Sequence, residues 1–98
     1  MRRAAKVDDN HAEIVKALRG AGCGVVSLAA VGNGCPDLLV HEPLFPWAHF
    51  LMEVKDGSKS PSKRKLTPEQ ARFHAAWKGW IHVVTSPSEA LAAVGINR

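Results

Sequence analysis

Glycine and proline punctuate this chain so often that no long helix or long strand fits between them. Gly20-Ala21-Gly22, Gly32-Asn33-Gly34, Pro43 with Pro46, Pro61, Gly79 and Gly95 each interrupt a patterned stretch. Glycine adopts positive φ at little cost, and proline lacks the N–H that helix interiors and central strands require. Only short elements survive, and the 98 residues suffice for one hydrophobic core, hence a single domain spanning 1–98. No apolar run approaches the ~18–20 residues of a membrane span. The stretch from Met1 to Asp9 turns acidic where a secretion signal would be apolar, so the expected compartment is the cytoplasm, with no membrane partner. Cys23 and Cys35 lack a second pair and zinc-site spacing, and both are expected to be buried thiols.

Periodicity assigns the segments. His11, Ile14, Val15 and Leu18, with Val7 before them, recur at helical spacing over about Asp9–Arg19, capped by Asp8 or Asp9. Cys23–Val31, rich in small and β-branched residues, reads as a strand, and Pro36–His41 as a second with proline at its first position. His49–Lys55 is a third. Thr67, Pro68 and Gln70 spell a helix start with a capping box, followed by Phe73, Ala76 and Trp77 as the apolar face. Trp80–Thr85 is a fourth strand, and Ser86-Pro87 opens a last helix running to Ala93. The order αβββαβα predicts an α/β domain, a sheet with helices packed on it.

The chemistry concentrates on the second and third strands. Side chains alternate along a strand, so Phe50, Met52 and Val54 should face the core. Glu53 and Lys55 then project together from the other face, both unburied. If the two strands pair antiparallel about Phe45 or Pro46, Asp37 lies opposite Val54 or Lys55, at the same end as Glu53. Two carboxylates that close repel unless a proton or a cation lies between them. Hard oxygen donors favour Mg²⁺ or Mn²⁺, which polarises a phosphoryl oxygen and acidifies bound water, while Lys55 can orient that water and offset developing charge.

Charge supplies the second half of the argument. The net charge is +4, and Lys59-Ser60-Pro61-Ser62-Lys63-Arg64-Lys65 holds four cations and no acid. Pro61 and the serines make this segment a loop, suited to gripping phosphates with Lys59, Lys63, Arg64 and Lys65. Among the remaining polar and aromatic residues, the histidines show no ligand spacing. Trp77 and Trp80 fall on apolar stripes and are expected in the core, whereas Trp47, beside Pro46, is expected to be exposed at a partner or dimer surface.

Cys35-Pro36-Asp37-Leu38-Leu39-Val40, Met52-Glu53-Val54-Lys55 and Leu66-Thr67-Pro68-Glu69-Gln70 together resemble the PD-(D/E)-x-K nuclease superfamily. Within it, the chain looks most like the small stand-alone VRR-NUC and Holliday-junction-resolvase-like proteins, many of them carried by phages. The resemblance covers nearly the whole chain. It implies a restriction-endonuclease-like core with a mixed central sheet flanked by helices. It also implies metal binding by Asp37, Glu53 and the Val54 carbonyl, catalysis by Lys55, and a polar helix residue, Gln70, turned toward the site. Members often add a glutamate from the first helix. Glu13 points away from that helix's apolar stripe, and Asn10 and His11 lie closer to it, which leaves this contribution open. The expectation is an Mg²⁺- or Mn²⁺-dependent DNA endonuclease without a small-molecule cofactor. It should select branched, flapped or four-way DNA and act as a homodimer matching a two-fold junction. A non-catalytic DNA-binding module is the alternative, and a ribonucleoprotein or protein-interaction domain a remoter one.

Overall fold

A computed structural model describes residues 9–45 and 47–96. The helices are α1 (His11–Gly20), α2 (Pro68–Ala76) and α3 (Pro87–Ala93), and the strands are β1 (Gly24–Ser27), β2 (Leu38–His41), β3 (His49–Val54) and β4 (Ile81–Val84). A short 3₁₀ turn, Pro61–Lys63, sits in the basic loop. The sheet order is β1-β2-β3-β4, with the first three antiparallel and β4 parallel to β3. This is a small α/β domain with a four-stranded mixed sheet and three helices.

Alternation along the strands builds the core. Leu38, Val40, Met52, Val54 and Val84 turn to one face, where Ile14 and Leu18 of α1 and Ala90 of α3 pack on them with Val94. Burying a Leu, Ile or Met side chain stabilises by roughly 1.5–3 kcal/mol, so this face carries most of the apolar driving force. The opposite face is different. Among the described residues α2 is the helix that approaches it, and α2 contributes no buried residue. Val26 and Val83 on that face stay 55% and 48% exposed.

The α1 cap differs from the sequence expectation. Asn10 occupies the N-cap position, without a side-chain cap bond, in place of Asp9, while Asp8 and Val7 lie outside the described residues. Asn10 instead reaches across to the sheet. At α2 the capping box forms as the sequence predicts. Thr67 accepts from the Gln70 N–H, and Gln70 returns its side chain to the Thr67 N–H. Cys23 is buried as expected, and Cys35 is only half-buried. Trp47 is 77% exposed, as expected. Trp77 and Trp80 are not core residues, at 47% and 74% exposed, because α2 ends before its last turn closes onto the sheet. No helix among the described residues is long and apolar enough to cross a membrane.

At α3, Glu89 accepts from both the N–H (2.7 Å) and the hydroxyl (2.8 Å) of Thr85. These bonds hold its carboxyl below the ordinary glutamate range. A depressed folded-state pKa stabilises above the unfolded value of about 4.3 and ceases to do so as pH falls through the folded value. Thermal unfolding of Glu89→Gln is therefore expected to occur a few degrees below wild type at neutral pH, with the gap closing in acid. A gap that persists unchanged at low pH would assign the loss to packing instead.

Candidate functional site

β2 and β3 pair with Leu38 opposite Met52 and Val40 opposite Phe50. That is one residue away from the register expected from sequence, and it changes the site. Continued one step, it sets Asp37 opposite Glu53, on one face, rather than opposite Val54 or Lys55. A further step sets Pro36 opposite Val54. In an antiparallel ladder, alternate pairs exchange both N–H and C=O, and Glu42 with Ala48 belongs to that set. Val54 thus turns both backbone groups toward Pro36, which has no N–H to offer its carbonyl. The Asp37 carboxylate takes the place of the missing strand, accepting from the Val54 N–H through Oδ2 at 2.7 Å. Pro36-Asp37 therefore has a local mechanical meaning. Proline ends the backbone ladder, and the aspartate is drawn to the gap beside a carbonyl oxygen.

Glu53 is 1% exposed, which corrects the expectation that it projects unburied beside Lys55. The reason is α2, which crosses above it. Gln70 Nε2 donates to Glu53 Oε2 at 3.3 Å, and His74 Nε2 lies 3.2 Å from Oε1. With its ring proton placed on Nε2, His74 would donate to Oε1. Burial, with the nearby Lys55 ammonium as a smaller cause, holds His74 below its ordinary pKa, so the ring is neutral at pH 7. Lys55 Nζ donates to Gln70 Oε1 at 2.7 Å, the same oxygen that accepts from the Thr67 N–H at 2.9 Å. Two donors on the oxygen and a carboxylate on the nitrogen fix the orientation of the Gln70 amide. Gln70 is thus both cap and bridge, linking Lys55 to Glu53.

Asp37 also borders a cavity of about 200 Å³ between the glycine turn and α2, lined in part by Gly34, Cys35, Thr67 and Gln70. Burial, then the carboxylates of Glu53 and Asp37, push the Cys35 thiol up, which keeps it protonated and unsuited to nucleophilic chemistry. Among the described residues, no three His, Cys, Asp or Glu side chains are grouped to hold a metal. The available donors are two carboxylates, Asp37 and Glu53, with the Val54 carbonyl, all hard oxygens. That set fits Mg²⁺ or Mn²⁺, which take one or two carboxylates and fill the remainder with water.

Sequence reasoning missed one residue here, His74, and left a second, Asn10, open. His74 follows Gln70 by four, which places both on one side of α2. The spacing was visible, but it carried no meaning until α2 was known to cover Glu53. Asn10 donates through Nδ2 to the carbonyls of Lys55 (3.0 Å) and Thr85 (2.9 Å), so the first helix acts on the backbone that carries Lys55. Glu13 lies instead in a hollow with Asp9, Asp56 and Ser58, and His11 in a groove between α1 and β1. In the basic loop Lys59, Lys63 and Lys65 are exposed and Arg64 half-buried. Arg64 is near enough to Glu89 to be the smallest of the causes that lower its pKa. Asp56 accepts from the Ser58 N–H and hydroxyl, and this turn opens the loop.

No family model, curated protein or solved structure matches the chain.

Gly34 tests how the site is assembled. Its φ is +78°, and an added Cβ would overlap the Glu69 carbonyl at the start of α2. Gly34→Ala is expected to cost about 1–3 kcal/mol in urea unfolding, from overpacking on a positive-φ position. The same variant should shift the NMR resonances of the Gln70 side-chain amide. An unchanged midpoint with unchanged Gln70 resonances would contradict this packing.

Proposed function

We propose that this chain is a divalent-metal-dependent DNA endonuclease with a restriction-endonuclease-like core. The observation that carries the reading is the Asp37 carboxylate on the Val54 N–H, with Glu53, Gln70 and Lys55 linked beside it. Continuing the strand register sets two acids distant in sequence on one face at the end of two strands, and Gln70 links one of them to an ammonium group. The resemblance of these segments to the PD-(D/E)-x-K superfamily supports the same conclusion.

Asp37, Glu53 and the Val54 carbonyl are the groups that would hold Mg²⁺ or Mn²⁺. When bound, such an ion polarises a phosphoryl oxygen and lowers the pKa of a coordinated water. The protein's own contribution is positional. Gln70 keeps the Lys55 ammonium directed along the site, where it offsets charge developing on phosphate and orients the attacking water. Gln70 and His74 contact the two oxygens of buried Glu53 and hold its carboxyl in place. Lys59, Lys63, Arg64 and Lys65 hold the DNA backbone. Binding through them should weaken with salt at a log–log slope near −0.9 per phosphate neutralised. So small a surface leaves little for reading base sequence, and we assign preference to DNA structure: flapped, branched or four-way substrates. A homodimer would match the two-fold character of a junction.

A second reading, a DNA-binding module without catalysis, draws on Glu53 having both oxygens occupied by α2. Cleavage assays on linear, flapped, nicked and four-way DNA, with and without Mn²⁺, separate the two. Wild type is expected to cut only with metal. Lys55→Ala and Asp37→Asn should each lose roughly 100-fold or more in rate while retaining DNA binding. Wild-type binding without cleavage in either metal would favour the second reading. Cleavage by Lys55→Ala at near wild-type rate would remove the role given to that lysine.

A further inference from the structure

The α2 face that meets the site continues past it. Gln70, Phe73, His74 and Trp77 are spaced as one helical stripe. The first and third bind Glu53, and the second and fourth stack on each other, ring centroids 5.5 Å apart and planes 17° from parallel. Trp77 remains 47% exposed. It is held in place as well as exposed. A Cβ at Gly79 would come within 2.8 Å of the indole Nε1, so the chain after the helix runs close along the ring. Between Lys59 and Lys78 there are six cations (Lys59, Lys63, Arg64, Lys65, Arg72, Lys78) and one acid, Glu69. Arg72 and Lys78 flank the stacked, oriented pair in sequence, and an aromatic ring with cations close by is the combination that binds single-stranded nucleic acid, cations for phosphate and ring for base.

Resting on the reading of this chain as a DNA-acting protein, we propose that the Phe73–Trp77 stack is a ledge for an unpaired nucleobase of the substrate. Trp77 follows Gln70 by seven residues, about 10 Å along the helix. That span equals about three nucleotides of stacked strand, counted from Gln70, beside which the phosphate at the Asp37–Glu53–Lys55 site would lie. Trp77 therefore selects DNA in which bases just beyond that phosphate are unpaired, a duplex bearing a single-stranded arm. Trp80, 74% exposed, meets His82 edge to face and is not part of the stack.

Fluorescence anisotropy in EDTA tests this independently of catalysis. Three DNAs are compared: a duplex with a single-stranded arm, the same duplex with abasic sugars in the arm, and a blunt duplex. Trp77→Ala is expected to bind the armed DNA about tenfold more weakly. Its binding to the abasic-armed and blunt DNAs should match wild type, and Trp77→Phe should restore most of the loss. Equal weakening on all three DNAs, or no change on any, would overturn the ledge. So would light scattering that shows Trp77→Ala turning a dimer into a monomer, since the ring would then belong to a second copy. Trp77-dependent binding of the armed DNA without metal-dependent cleavage keeps the ledge and removes the nuclease. Cleavage with no Trp77 dependence removes the ledge alone.

Discussion

A carboxylate at the end of β3 lies almost wholly out of water, and the geometry around it follows from that burial. An unpaired ionised group in such a place would be strongly destabilising. Glu53 is not unpaired: Gln70 donates to it and His74 lies at hydrogen-bond distance, both from α2. The dependence runs the other way as well. α1 and α3 are fastened to the sheet by Ile14, Leu18, Ala90 and Val94, but α2 buries no residue of its own. Its attachment includes Gln70, which reaches Lys55, Glu53 and the Thr67 N–H at once. A helix held by a polar network directly over two acids and a lysine keeps those groups in register with one another. It also leaves much of its apolar surface, Trp77 included, open to a ligand.

Much of this was legible in the residues. Thr67-Pro68-Glu69-Gln70 announces a capped helix start because each residue answers a specific need of the first turn. Pro36-Asp37 and Glu53-Val54-Lys55 mark the ends of two strands because proline cannot continue a ladder and alternation sets the faces. What stayed hidden depends on how separate elements meet. Alternation says that Glu53 faces away from Met52, but not that a helix covers that side. The capping box explained Gln70 fully, so its second task, bridging Lys55 to Glu53, left no mark in the sequence. The register differed by one residue because the connection through Pro43 and Phe45 is irregular, and that single step decides whether Asp37 shares a face with Glu53.

The two tryptophans fail in an instructive way. An apolar residue at helical spacing is usually buried, and Trp77 fits the stripe of Phe73 and Ala76. The helix ends at Ala76, however, and the chain turns at Gly79 before the indole can reach the sheet. The same reasoning reverses for Asn10. A residue left open as the first helix's contribution to the site ties together the carbonyls after β3 and β4, stiffening the backbone that carries Lys55.

The central claim is that Asp37, Glu53 and the Val54 carbonyl form one site for a divalent ion. Titration of ¹⁵N-labelled protein with substoichiometric Mn²⁺ tests it directly, because the paramagnetic ion broadens only nearby amide signals. Broadening centred on Asp37, Glu53 and Val54, abolished in Asp37→Asn, is the result this account requires. Broadening centred on Asp9, Glu13 and Asp56, or uniform over the chain, would contradict it.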